Sequence, residues 1–210
     1  PQREVFGVDV IAKNDSLWYR MHAVAYKTEC LRRMRYSQVE GVMYSDTEWT
    51  IVPLCAVRKI RYIPIRLYLY LVGREGQSMA ADVWNKSFHH RTKVLLHIAK
   101  SVAGQAEYTT DSNKILVDSF VFEGLKNIYT AGFLNCNVNE IKTTLRDLDA
   151  DIASLNTNVY SRLRDVAFPR RYGFRLIRFW QDHKWSDRIV ALYLKTYSHL
   201  VKLVLWVSQK

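Results

Sequence analysis

The sequence predicts an α+β protein that is mostly α. A small mixed α/β portion over residues 1–80 precedes an all-helical bundle over residues 81–210. Three observations carry this reading. Runs rich in β-branched and aromatic residues that read as strands occur in the first 80 positions. From about Asp82 onward Gly and Pro become scarce, and apolar residues recur with helical period. The chain has 210 residues, 49% of them hydrophobic, enough for one large core or two small ones.

Taken in order, "EVFGVDVIA" reads as a strand, and "NDSLWYRMHAVAYKTECLRRM" as a helix capped by Asn14, Asp15 or Ser16. "SDTEWTIVPLCAV" reads as a second helix, with Ser45 and Glu48 spaced as a capping box and Pro53 kinking or ending it. "RKIRYIPIRLYLYLVG" reads as one bent strand or two short ones broken at Pro64, and "GREGQS" as a loop. Helices are expected near 82–103, 112–134, 137–163, 172–184 and 187–208, with Asn137 or Asn139 as caps.

Thirty-one Lys and Arg against 20 Asp and Glu give a net charge of +11, which favours acidic partners: nucleic acid, an anionic membrane face or a phosphorylated substrate. Cys30, Cys55 and Cys136 are far apart and form no C-x-x-C pair, the pattern of reduced cytoplasmic thiols. No secretory leader and no uninterrupted apolar stretch of spanning length occurs. The expected location is cytoplasmic, with peripheral attachment to the inner face of a membrane. The abrupt start, without an initiator Met, suggests a fragment of a longer protein.

The stretch "EGVMYSDTEW" at residues 40–49 concentrates three carboxylates and two aromatics. On local grounds Asp46 is a first-turn carboxylate favoured by the helix dipole. Its wider context resembles the C-terminal part of family 2 inverting glycosyltransferases of the GT-A type. There a helix is followed by "E-G-x-x-Y-E-D-x-x-[FW]", a strand pair ending in Tyr-x-Tyr, and a small polar loop. The matching pieces here are "MHAVAYKTECL", "EGVMYSDTEW", "YLY" and "GREGQSM", covering roughly residues 15–80.

The resemblance implies that Asp46 is the catalytic base, deprotonating an acceptor hydroxyl as it attacks the anomeric carbon. Ser45 stands where the family often has Glu. Glu40 and Trp49 map onto the flanking acid and aromatic, with Trp49 expected to pack. His22 and Tyr26, four apart on one helical face, border the acceptor cleft. Arg74, Gln77 and Ser78, in a glycine-bracketed loop, close over the donor diphosphate or the acceptor. The family's nucleotide-binding half has no counterpart in this sequence. No metal ligand and no cofactor is therefore expected in the fragment, with Mg or Mn held by the Asp-x-Asp of the full-length parent.

Other patterns read more plainly. Asp147, Asp149 and Asp151 match Asp-x-Asp as text but fall in a helix, where residues two apart diverge by about 200°; they read as a solvated face. His89, His90 and His97 lack zinc spacing and read as a surface pair with one half-buried ring. In "SDRIVALYLKTYSHLVKLVLWVSQK", Arg188, Lys195, Lys202 and Lys210 form one polar stripe on an otherwise apolar helix. That helix packs in a bundle, against a partner, or on an anionic membrane. No motif supports specific nucleic-acid binding.

The expected function is glycosyl transfer from a nucleotide-sugar to a glycan or lipid-linked acceptor in the parent protein, this piece supplying the acceptor side. A homo-oligomer is among the expected partners. The alternative is a non-catalytic basic helical module that binds a membrane, a lipid carrier or a partner protein.

Overall fold

Strand pairing is limited to two residues on each side. β1 (Val5–Phe6) runs antiparallel to β2 (Ile60–Arg61), with Val5 opposite Arg61 and Phe6 opposite Ile60. This is seen in a computed structural model. It describes residues 5–13, 21–66, 68–69, 71, 87–104, 110–135, 139–155, 157–167, 173–184 and 186–208. Everything else regular among these residues is helical, as the composition predicts.

The N-terminal strand is shorter than expected. The chain leaves β1 at Gly7 and enters α1 (Val8–Lys13), with Asp9 in the first turn, where a carboxylate meets the positive end of the helix. Of the long helix expected over residues 14–34, residues 14–20 lie outside the described residues, and the described part from Met21 is not one helix. Met21–Ala23 forms a single 3₁₀ turn, residues 24–27 are irregular, and α2 (Thr28–Arg33) follows an extended Lys27. The break lets Tyr26 meet Trp49 edge-on, with ring centroids 5.2 Å apart, and His22 stack on Tyr68 at 4.1 Å. Such tertiary contacts override the modest helix propensity of the segment. α3 (Asp46–Ile51) ends ahead of Pro53, and Val52–Cys55 tightens into a 3₁₀ turn, as a proline at that point requires.

Of the strands expected over residues 58–73, β2 is the part that pairs among the described residues, with 67, 70, 72 and 73 lying outside them. A three-residue turn centred on Pro64 follows, with Ile65 N–H donating to Ile63 O at 2.8 Å.

The C-terminal helices are α4 (Phe88–Ala103), α5 (Asp111–Leu134), α6 (Asn139–Leu155), α7 (Thr157–Asp165), α8 (Leu176–Gln181) and α9 (Asp187–Ser208). The helix expected over 137–163 is seen as α6 and α7, with residues 137, 138 and 156 outside the described residues. The helix expected over 172–184 is confined to α8.

The chain forms two compact units, Pro1–Val121 and Phe122–Lys210, and their boundary falls inside α5. In the first unit α4 packs on α3 and on the Val52–Cys55 turn, burying Ile51, Leu54, Phe88, Val94, Leu95 and Ile98. In the second unit α6 presents Ile141, Leu145, Leu148 and Ile152 as one buried stripe. Leu163 of α7, Leu176 and Ile177 of α8 and Val190 of α9 are buried as well. Among the described residues no helix is long and apolar enough to cross a membrane.

Asn113, one turn into α5, fastens this helix to the first unit. Its amide donates to the carbonyls of Leu54 and Val57, the latter at 2.7 Å, and its oxygen accepts from the Thr110 hydroxyl. The side chain is buried, so these bonds have no water to replace them. Replacing Asn113 with Ala is expected to lower the unfolding free energy by about 1–3 kcal/mol in urea titration. Asn113→Asp, which cannot donate to either carbonyl, should cost at least as much.

Candidate functional site

The segment 38–48 is built around a carboxylate that is not the one the sequence singles out. Glu48, in the first turn of α3, is 0% exposed. Its Oε2 accepts from Val39 N–H at 2.8 Å, and its Oε1 lies 3.0 Å from His97 Nδ1 on α4. With Glu48 ionised, Nδ1 is the donor in this bond. The capping box expected of Ser45 and Glu48 does not form. Ser45 is itself in helical conformation and makes no side-chain cap bond, because the Glu48 carboxylate is committed to Val39 and His97.

Two more bonds fix the same segment to α4. Met43 N–H donates to His90 Nδ1 at 3.0 Å, and the Tyr44 hydroxyl pairs with Ser87 Oγ at 2.9 Å. The Arg91 guanidinium lies 3.7 Å from the Tyr44 ring centroid, a cation–π contact. Tyr44 needs these restraints, since its φ of 70° is a left-handed conformation uncommon for a non-glycine residue. Partial burial holds the His90 imidazole below its ordinary range, with His89 and Lys93 adding to the effect, which suits a ring nitrogen that accepts a hydrogen bond. His90 and His97 thus anchor a loop, a role their seven-residue spacing on one helical face permits.

Asp46 opens α3 and is exposed, as is Glu40. Trp49 is half-buried between the rings of Tyr26 and Tyr36, edge-on to both at 5.2 and 5.8 Å. His22 and Tyr26 do not share a helix face, since residues 24–27 separate the 3₁₀ turn from α2. The structure therefore gathers Tyr26 and Trp49, leaves Asp46 and Glu40 open to solvent, and puts His22 beside Tyr68. Arg74, Gln77 and Ser78 lie outside the described residues.

Asp149 also departs from its reading. Asp147 is exposed on α6, but Asp149 accepts from the buried Tyr129 hydroxyl and from Gln181 Nε2, the latter at 2.6 Å. Burial, and then the Asp149 charge, raise the Tyr129 phenol well above its usual range. Among the described residues no three His, Cys, Asp or Glu side chains gather as metal ligands would.

A second feature lies along residues 58–71, which include the "YLY" piece. From β2 onward, Tyr62, Ile63, Ile65, Tyr68, Leu69 and Leu71 are exposed, Leu69 to 85%. Arg58, Lys59, Arg61 and Arg66 are exposed among them. No acidic residue occurs between Glu48 and Glu75.

No family model, no curated protein and no solved structure matches this chain.

Two measurements test the geometry around Glu48. Glu48→Ala leaves the Val39 N–H and the His97 ring without their buried acceptor, an expected loss of about 3 kcal/mol in urea unfolding. Burial, followed by the Glu48 charge, pushes Tyr36 up to about 12. A phenol ionises near 10 in the unfolded chain, so the stability tied to its protonated form is present below pH 10 and is lost as pH rises from about 10 to 12. In a phenolate absorbance titration, Glu48→Gln should move Tyr36 down only in part, because burial remains.

Proposed function

We propose that this chain is a module that docks on an anionic lipid surface through residues 58–71. The observation that carries the reading is the exposed row of Ile63, Ile65, Tyr68, Leu69 and Leu71, interleaved with Arg58, Lys59, Arg61 and Arg66 and free of acidic residues. Aliphatic side chains enter the acyl boundary, tyrosines sit at the headgroup level, and the cations meet anionic headgroups. A single-stranded nucleic acid would call for stacking rings in place of Ile and Leu. The net charge of +11 adds long-range attraction to the same surface.

The expected outcome is salt-sensitive co-sedimentation with phosphatidylglycerol-containing vesicles and little with phosphatidylcholine alone. Replacing Ile63, Ile65 and Leu69 with Ser should each weaken binding roughly tenfold, from about 1.5 kcal/mol of lost burial. Replacing Arg58, Lys59 or Arg61 with Gln should cost roughly fivefold each, from about 1 kcal/mol per charge. Absence of binding to anionic vesicles at low salt would sink the proposal.

A second reading keeps glycosyl transfer, with this chain as the acceptor-side portion of a larger enzyme that holds Mg or Mn and the nucleotide-sugar elsewhere. The observation in its favour is that Asp46 is exposed at the start of α3, within reach of an incoming hydroxyl, whereas Glu48 is enclosed. In the full-length parent, assayed with a panel of nucleotide-sugars, Asp46→Asn should lower transfer about a hundredfold with donor binding retained. Unchanged turnover would make Asp46 a first-turn carboxylate and nothing more.

A further inference from the structure

The second unit contains a cavity of about 430 Å³ lined by Arg146, Asp149, Trp180, Gln181 and His183. Most of its polar groups are already committed. Asp149 Oδ1 takes the Tyr129 hydroxyl and Gln181 Nε2, and Tyr160 also hydrogen-bonds to Asp149. Gln181 Oε1 accepts from Arg164 at 3.1 Å, and Trp180 Nε1 donates to Asp187 at 2.7 Å. Two basic side chains, Arg146 and His183, retain donors. Arg146 is 58% exposed and makes one long contact, 3.5 Å, to an Asp187 oxygen that Lys142 already holds at 2.7 Å. The exposed His183 ring makes no hydrogen bond among the described residues.

The backbone at His183 adds a second line of argument. α8 closes with Lys184 N–H on Phe179 O at 2.9 Å and His183 N–H on Trp180 O at 3.0 Å, which places His183 at φ 56°. This helix-ending motif favours glycine at that position. Arg35 closes α2 in the same way at φ 50°, so the conformation alone says little. The difference is that His183 puts an imidazole on the wall of a cavity that the Arg146 guanidinium also lines, at a place where the turn itself favours no side chain.

We propose that this cavity binds a small phosphate monoester, its phosphoryl group held by Arg146 and His183. Arg supplies a planar fork of donors that suits phosphate oxygens, and the imidazole supplies one more. Asp149 opposes an anion, but its charge is shared among the Tyr129, Gln181 and Tyr160 donors. The volume exceeds that of a bare phosphate and lies in the range of small-ligand sites. These residues are separate from those that carry the lipid-surface reading, so the two stand or fall independently.

The test is an NMR titration of the full chain with inorganic phosphate, then glycerol phosphate, then a short-chain phosphatidic acid, each against chloride at matched ionic strength. Saturable shifts are expected at the Trp180 indole N–H and the Arg146 and His183 side chains. His183→Gly should fold with a melting temperature at or above wild type, because glycine suits the turn, and should bind at least fivefold more weakly. Arg146→Gln should weaken binding by a similar factor. Saturation by glycerol phosphate identifies a free phosphate ester, and saturation by phosphatidic acid alone identifies a lipid headgroup. Unsaturable shifts spread over all basic residues, or saturable binding unchanged in both variants, would overturn the assignment.

Discussion

A carboxylate removed from water has to be satisfied by the protein, and Glu48 sets that requirement at the centre of the first unit. Leaving it unpaired would cost several kcal/mol. The Val39 N–H and the His97 ring meet the need, and each comes from a different part of the chain: one from the loop before α3, the other from α4. Satisfying one side chain therefore fixes the position of eleven consecutive residues, 38 to 48, against a helix that starts forty residues later. The Met43–His90 and Tyr44–Ser87 bonds, and the left-handed backbone at Tyr44, follow from the same docking. The exposed position of Asp46 is a consequence too. A helix that turns Glu48 inward turns the residue two places earlier to the opposite side.

The second unit has a polar arrangement of a different kind, spread across four helices. Asp187 is the anion that links Trp180 of α8 to Lys142 and Arg146 of α6. Burial alone would raise its pKa. The hydrogen bonds from Lys142 and Trp180, with the charges of Lys142 and Arg146, outweigh that and hold it below its ordinary range. The stability this contributes is present above the usual carboxylate range and fades as pH falls through the lowered value. Asp182 is held low as well, chiefly by its hydrogen bond to Arg164.

How much of this could be read from the sequence depended on how local the determining forces are. α5 and α9 were legible almost to the residue because their start signals are adjacent in sequence: Thr110 bonds to Asn113, and Ser186 Oγ accepts from Ile189 N–H. The short elements of the first unit were not, because contacts between distant residues decide them, such as Tyr26 on Trp49 and Phe6 opposite Ile60. The site shows the same division. "EGVMYSDTEW" stood out as a charged stretch, but nothing within it marks Glu48 over Asp46 as the enclosed acid. The deciding partner, His97, lies 49 positions away. Asp149 was hidden by its neighbours, since "DLDAD" reads as a solvated face unless Tyr129 and Gln181 are known to converge on it.

The extended run after β2 bears on behaviour at high concentration. Past Arg61 the chain has no ladder partner among the described residues, and the turn at Pro64 interrupts it after three residues. An open edge with aliphatic side chains is a template on which a second chain can add a strand. Charged side chains spaced along such an edge are a common protection against that outcome, and Arg58, Lys59, Arg61 and Arg66 occupy those positions here. Their repulsion is electrostatic and is weakened by salt. The same cations repel one another between copies of the chain, and that repulsion is strongest in dilute buffer.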